Sequence, residues 1–158
     1  MDIRDQLLRA VDALDAAGVP YAVCGGLAVV IHGYTRLTDD IGLLVRPRDV
    51  PLAKQALQSA GFSFANARPL TLPHGNHPPL TIHRMLQIEG EDHLVLDLIE
   101  TNSALDAVWN GRQAYRWEGR TLSAVSRDGL IEMKKTAGRP QDLADIANLQ
   151  SGHNTPHG

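Results

Sequence analysis

A pair of glycines, Gly25-Gly26, separates two apolar runs near the N-terminus and constrains the fold more than any other feature of the sequence. Before the pair, Pro20 forces an extended entry into the apolar segment 21–24, which predicts a short strand. After the pair, residues 27–32 favour a short buried helix that ends at Gly33. The sequence therefore predicts a strand, a tight glycine turn and a buried helix, a unit typical of α/β proteins.

The same reasoning extends this α/β pattern over the rest of the chain. Helices are predicted over 3–17, 49–60, 103–109, 126–137 and 140–150, and strands over 21–24, 40–46, 62–64, 80–88, 93–99, 113–117 and 120–124. Residues 65–79 include Pro73, Pro78 and Pro79 together with Gly75 and Asn76, and they predict a loop that either covers a site or is disordered. We expect one domain over residues 1–150 and a polar, disordered tail over 151–158.

Composition excludes several classes of partner. The formal net charge is −3 and aromatic residues make up only 4%, which argues against binding to duplex DNA and against base stacking on single strands. The charged N-terminal segment does not resemble a signal peptide, and no apolar run approaches the roughly 20 residues that span a bilayer. With Cys24 as the only cysteine, we expect a cytoplasmic protein without disulfides and without a membrane partner.

Two acidic residues indicate that the glycine turn belongs to a binding site. A Gly-Gly turn lets a phosphate approach the backbone, although such a pair is more often only a turn. Asp40 opens the strand that follows the predicted helix, and Asp97 lies inside an apolar strand, where a carboxylate is costly unless it is paired or binds a metal. Together they indicate a Mg²⁺–triphosphate site, and the alternative for Asp97 is a salt bridge to an arginine or lysine.

Several short motifs of this chain occur together in one known superfamily. They read GGLA at 25–28, HG at 32–33, RLTDDIGL at 36–43, LIEMK at 130–134 and RPQDLADI at 139–146. In this combination and order they resemble the small nucleotidyltransferases of the DNA polymerase β superfamily, most closely the group that includes AbiEii-type toxins. The resemblance covers nearly the whole predicted domain, and its motifs are specific only in combination.

The resemblance implies a mixed β-sheet flanked by helices, a C-terminal helical part, and transfer of a nucleoside monophosphate from an NTP to a hydroxyl on protein, RNA or a small molecule. It implies Asp40 and Asp97 as ligands of Mg²⁺ or Mn²⁺, with Asp97 also activating the acceptor hydroxyl. It implies five residues at the nucleotide: Gly25, Gly26, Arg36, Thr38 and Lys134. Asp142 and Asp145 match the final motif, where a structural role is expected, and Asp142 is within ion-pair reach of a residue three positions earlier.

One position departs from the superfamily pattern. The pattern requires a second carboxylate two residues after Asp40, on the same face of the strand, and residue 42 is glycine. Asp39 faces the other way unless a bulge redirects it. Three interpretations stay open: a natural member that binds a nucleotide or an antitoxin-like partner without turnover, an inactivating change introduced into an active enzyme, or weak activity with one metal ion.

Overall fold

The computed structural model describes residues 1–65 and 68–151, and it is a mixed α/β structure. The helices are α1 (Ile3–Ala16), α2 (Gly25–Ile31), α3 (Val50–Ser59), α4 (Asp106–Asn110), α5 (Arg127–Ala137) and α6 (Pro140–Ser151). The strands are β1 (Ala22–Cys24), β2 (Asp40–Val45), β3 (Ser63–Phe64), β4 (Leu70–His74), β5 (His77–Glu89), β6 (Asp92–Glu100), β7 (Gln113–Trp117) and β8 (Arg120–Ala124). The predicted α/β class is confirmed.

All eight strands belong to one sheet, in the order β3-β5-β6-β2-β1-β8-β7, with β4 also paired to β5. Strand β2 runs parallel to β6 and antiparallel to β1, so the sheet is mixed as the resemblance implies. The hairpins β5–β6 and β7–β8 are antiparallel and form where the turns at 89–92 and 118–119 are expected. The predicted disordered tail lies outside the described residues, except for Ser151, which ends α6.

Helix α1 illustrates how local sequence signals set an element. The side chain of Asp2 accepts a hydrogen bond from the backbone N–H of Arg4 and caps the helix at its N-terminus. Leu7, Val11 and Leu14 recur on one face and are fully buried, and the helix packs against α3 and strand β2. No helix among residues 1–65 and 68–151 is both long and apolar enough to cross a membrane.

The prediction of a loop over 65–79 is wrong for residues 70–74 and 77–79, and its residues 66 and 67 lie outside the described residues. Residues 70–74 form β4 and residues 77–89 form β5, which pair as an antiparallel hairpin around a tight turn at Gly75. Pro73 lies where the register of this hairpin shifts, and the segment before Ile82 has no β6 partner. Prolines are tolerated at bulges and beside unpaired edges, so Pro73, Pro78 and Pro79 do not prevent strand formation here.

The two faces of the sheet differ. On one face, Gln87 of β5 donates a hydrogen bond to Gln6 of α1, so this face is covered by α1. Met85 lies two positions before Gln87 on β5 and therefore shares its face. The register pairs Met85 with Leu96 of β6 and Leu96 with Ile41 of β2, so the buried residues Ile41, Leu43 and Val45 also lie on that face. The side chains that alternate with them, beginning with Asp40, point to the opposite face.

Candidate functional site

A row of four residues crosses the centre of the sheet on the face opposite α1. The register places Cys24 of β1 beside Gly42 of β2, Gly42 beside Asp97 of β6, and Asp97 beside Arg84 of β5. Residues paired in register point to the same face, and so do residues two apart in one strand. Asp40 therefore shares this face with Asp97, and the two predicted metal ligands lie on adjacent parallel strands.

Asp97 is held by Arg84. Nε of Arg84 donates to one carboxylate oxygen at 2.9 Å and Nη2 donates to the other at 3.0 Å, which is the bidentate geometry that guanidinium groups prefer. The hydrogen bond to Asp97 raises the pKa of Arg84, and Asp97 and Asp40 raise it further through their charge. Asp97 thus makes the arginine salt bridge that its position inside an apolar strand requires.

Asp40 carries an unfavourable charge. Partial burial of its carboxyl group raises its pKa, and the nearby carboxylates of Asp39 and Asp97 raise it further. The positive charges of Arg36 and Arg84 counteract this effect only in part. A carboxylate kept in an electrostatically strained position is typical of functional sites, because folding alone does not favour it.

Gly42 is packed against its neighbour in the row. A Cβ atom at residue 42 would lie 3.2 Å from Sγ of Cys24, which is closer than ordinary van der Waals contact. Burial raises the pKa of the Cys24 thiol to about 12, so this sulfur is a neutral packing group. Among residues 1–65 and 68–151 no three His, Cys, Asp or Glu side chains are grouped closely enough to hold a metal ion by themselves.

The glycine pair and the turn before β2 form a second part of the site. Gly25 has a φ of +71°, which disfavours any side chain, although open space surrounds its Cα. A Cβ at Gly26 would overlap the guanidinium of Arg36 and lie 2.7 Å from Oγ1 of Thr38. The structure thus brings together Gly26, Arg36 and Thr38. Helix α2 has only seven residues, so Arg36 is the stronger source of positive charge beside the glycines.

The side chain of Lys134 is buried in ion pairs and is not free to contact a nucleotide. Its side chain is 6% exposed, and Nζ lies 2.8 Å from a carboxylate oxygen of Asp145 and 3.5 Å from one of Asp142. Asp145 also lies 3.3 Å from Nε of Arg36, so one buried carboxylate links helix α6 to the residue that covers Gly26. The expected structural role of Asp142 agrees with its ion pair to Arg139 at 2.7 Å.

Opposing effects act on the Asp142 carboxyl group. Burial raises the pKa of Asp142, but the hydrogen bonds from Arg139 and the charge of Lys134 outweigh burial and lower the pKa below its ordinary value. Lys134 also lowers the pKa of Cys24, whereas Asp97 and Asp40 raise it. Lys134, Asp97 and Asp40 are therefore close enough to Cys24 to influence the pKa of its thiol. The predicted residues surround one region of the sheet.

Arg84 is the residue that sequence reasoning missed. A turn at 89–92 sets the register of the β5–β6 hairpin, and counting back from Glu89 and forward from Asp92 places Arg84 opposite Asp97. The signal was therefore present in the sequence. A surface depression of about 560 Å³ between α5 and α6 is lined by Arg127, Asp128, Ile131, Glu132, Lys135, Leu149 and Gln150, none of which is a predicted site residue.

No protein-family model and no curated protein sequence matches this chain. Solved structures do match. The antibiotic-resistance factor ANT(2'')-Ia aligns with a TM-score of 0.62 at 15% identity over 96% of this chain and 85% of its own. The lincosamide antibiotic adenylyltransferase LnuA, bound to lincomycin, aligns with a TM-score of 0.57 at 18% identity over 93% and 96%.

A third match is TM1012 of Thermotoga maritima, a protein assigned to the nucleotidyltransferases, with a TM-score of 0.63 at 12% identity over 94% of this chain and 92% of its own. All three identities are low, so these likenesses concern the fold. The chain has the fold of the nucleotidyltransferases, as the motifs at 25–43 predict.

Proposed function

We propose that this protein binds an NTP at the sheet face that carries Asp40 and Asp97 and transfers its nucleoside monophosphate to a hydroxyl acceptor, with turnover limited by Gly42. One observation carries the proposal: two carboxylates share one face of adjacent parallel strands, and partial burial together with the nearby carboxylates raises the pKa of Asp40. The electrostatic coupling of Asp40 to Arg36 supports a location beside Gly26.

The donor set fits one Mg²⁺ or Mn²⁺ ion better than two. Mg²⁺ is commonly bound by one or two carboxylates together with substrate phosphates, which Asp40, Asp97 and a triphosphate would supply. The bidentate pair with Arg84 uses only part of the acceptor capacity of Asp97, because an ionised carboxylate has about four lone-pair sites. When bound, the ion would neutralise phosphate charge and polarise the transferred group.

The residues of the chain have separable roles in this proposal. Gly25 and Gly26 let the triphosphate approach the backbone, and Arg36 with Thr38 fixes the wall of the phosphate site. Asp97 accepts the proton of the acceptor hydroxyl as that oxygen bonds to the α-phosphorus and pyrophosphate leaves. Lys134 contributes through Asp145, which it holds at 2.8 Å and which lies 3.3 Å from Arg36.

Two of the structural neighbours support a small-molecule alcohol as the acceptor. LnuA is a lincosamide adenylyltransferase, and ANT(2'')-Ia has been solved with adenylyl-2''-tobramycin. Both proteins act on or hold antibiotics, and this chain covers 96% of each of them in those alignments. We therefore place a hydroxylated small molecule ahead of a protein or RNA acceptor.

A second function has its own support. Gly42 supplies no carboxylate, and Arg84 occupies two acceptor sites of Asp97, so the same fold could serve as a non-catalytic module. Such a module would bind a nucleotide or a protein, for example in a toxin–antitoxin or other regulatory complex.

Calorimetry with NTPs in the presence of Mg²⁺, combined with transfer of labelled nucleotide to a panel of alcohols, tests the proposal. Gly42→Asp should increase transfer by more than about 10-fold, since it adds a direct metal ligand. Because Sγ of Cys24 crowds residue 42, the variant is made in a Cys24→Ala background, with Cys24→Ala alone as the matched control. NTP binding without transfer in every variant would favour the module, and absence of NTP binding in all of them would refute the transfer proposal and a nucleotide-binding module, leaving only a protein-binding one.

A further inference from the structure

Arg84 is a fixed cation in the middle of the proposed site. It lies on β5 directly opposite Asp97 and in the same row as Gly42, and its side chain is 38% exposed. The bidentate pair uses two of the five N–H groups of the guanidinium. The remaining donors are available on the face of the sheet that also carries Asp40.

The three charged side chains of this face, Asp40, Asp97 and Arg84, differ in net charge from a three-carboxylate site. Asp40, Asp97 and Arg84 together carry a net charge of −1, whereas three carboxylates without an arginine would carry −3. A triphosphate carries several negative charges of its own. A site with a net charge of −3 therefore needs two divalent ions before it can bind a triphosphate. A site with a net charge of −1 and an exposed guanidinium needs much less positive charge from metal ions.

We propose that Arg84 binds the triphosphate directly and replaces one of the two divalent ions, so that this protein binds NTPs with little dependence on metal. This inference rests on the proposed function, because it concerns the same site. Arginine suits the task, since its planar group binds a carboxylate and a phosphate oxygen with well-directed hydrogen bonds. Asp97 then serves to orient Arg84 as well as to accept a proton.

Titration calorimetry with ATP in EDTA tests the inference on the wild type and three variants of the 158-residue chain. The wild type should bind ATP in EDTA, and Arg84→Gln should weaken that binding by about 10-fold or more, the loss expected for a charge-assisted hydrogen bond. Arg84→Lys keeps the charge without the bidentate geometry and should lie between them. Arg116→Gln is the matched control, because Arg116 is an exposed strand arginine on β7 at the far edge of the sheet.

A second measurement needs no variant. Electron paramagnetic resonance of Mn²⁺ with a non-hydrolysable ATP analogue counts the ions in the complex. No more than one Mn²⁺ per chain supports the inference, and two would overturn it. Equal ATP affinities of the wild type and Arg84→Gln in EDTA would also overturn it, and if Arg84→Gln does not fold, Arg84→Lys and the Mn²⁺ count decide.

The two proposals fail in different ways. If the wild type binds ATP only when Mg²⁺ is present and Arg84→Gln behaves identically, the inference on Arg84 is refuted and the proposed function stands. If the wild type binds no NTP with or without Mg²⁺, both are refuted.

Discussion

Replacing Lys134 with methionine should destabilise the protein strongly. Nζ of Lys134 lies between the carboxylates of Asp142 and Asp145, and the three side chains are each at most 6% exposed. Removing one partner of a buried ion pair typically costs about 3–5 kcal/mol, because the charge left behind is not solvated. Asp145 keeps its contact with Arg36 and Asp142 keeps Arg139, so we expect a value near the lower limit, about 3 kcal/mol.

Urea unfolding followed by far-ultraviolet circular dichroism measures this change. About 3 kcal/mol corresponds to a fall of roughly 6–12 °C in Tm for a chain of this size. Lys135→Met is the matched control, because Lys135 is 53% exposed, its contact with Glu132 is 3.8 Å, and exposed pairs contribute at most about 1 kcal/mol. A loss below about 1 kcal/mol for Lys134→Met, accompanied by loss of NTP binding, would refute the structural role and favour direct contact with the nucleotide.

Four further outcomes are expected. Gly26→Ala should weaken NTP binding because its Cβ displaces the end of the Arg36 side chain, and Gly25→Ala should weaken binding and also cost about 1 kcal/mol of stability from its left-handed backbone; calorimetry measures the binding and thermal melts measure the stability. Asp40→Asn should stabilise the protein at neutral pH, since a raised pKa means that folding disfavours the charged form; denaturant titrations show the sign. The lowered pKa of Asp142 contributes stability above pH about 4 that is lost as the pH falls through the folded-state pKa, which acid titration of unfolding detects. Cys24 should resist a maleimide at pH 8 until the protein unfolds, because its pKa is about 12 and the thiol is buried.

Local signals predict much of this fold from the sequence. The cap at Asp2 and the apolar spacing that follows give α1 within one residue of its observed end. The hairpin β7–β8 has the predicted bounds, because a glycine turn separates two short strands. The acidic strand begins at Asp40 as expected, and the position of that residue on the strand places Gly42 on the same face.

Non-local structure explains what the sequence pattern misses. Strand β4 forms because it pairs with a β5 that extends beyond β6, and the turn residues that suggest a loop are accommodated at its bulge and its tip. The burial of Lys134 depends on two carboxylates that lie 8 and 11 positions further along the chain. Periodicity identifies neighbours on one helix, but it carries no information about which helix packs against another.

The packing around Gly42 favours a natural glycine over an introduced change, because the neighbouring side chains fit a residue without a side chain. A single change introduced into a two-metal enzyme would leave its neighbours arranged around a carboxylate. Here Sγ of Cys24 lies 3.2 Å from where a Cβ would stand, and on the other side Asp97 is engaged by the guanidinium of Arg84 at both oxygens. Cys24 crowds the position of a Cβ atom at residue 42, and Arg84 pairs with the carboxylate of Asp97. A gain of activity from Gly42→Asp should therefore require relief at residue 24, which is why the variant that also carries Cys24→Ala is the informative one.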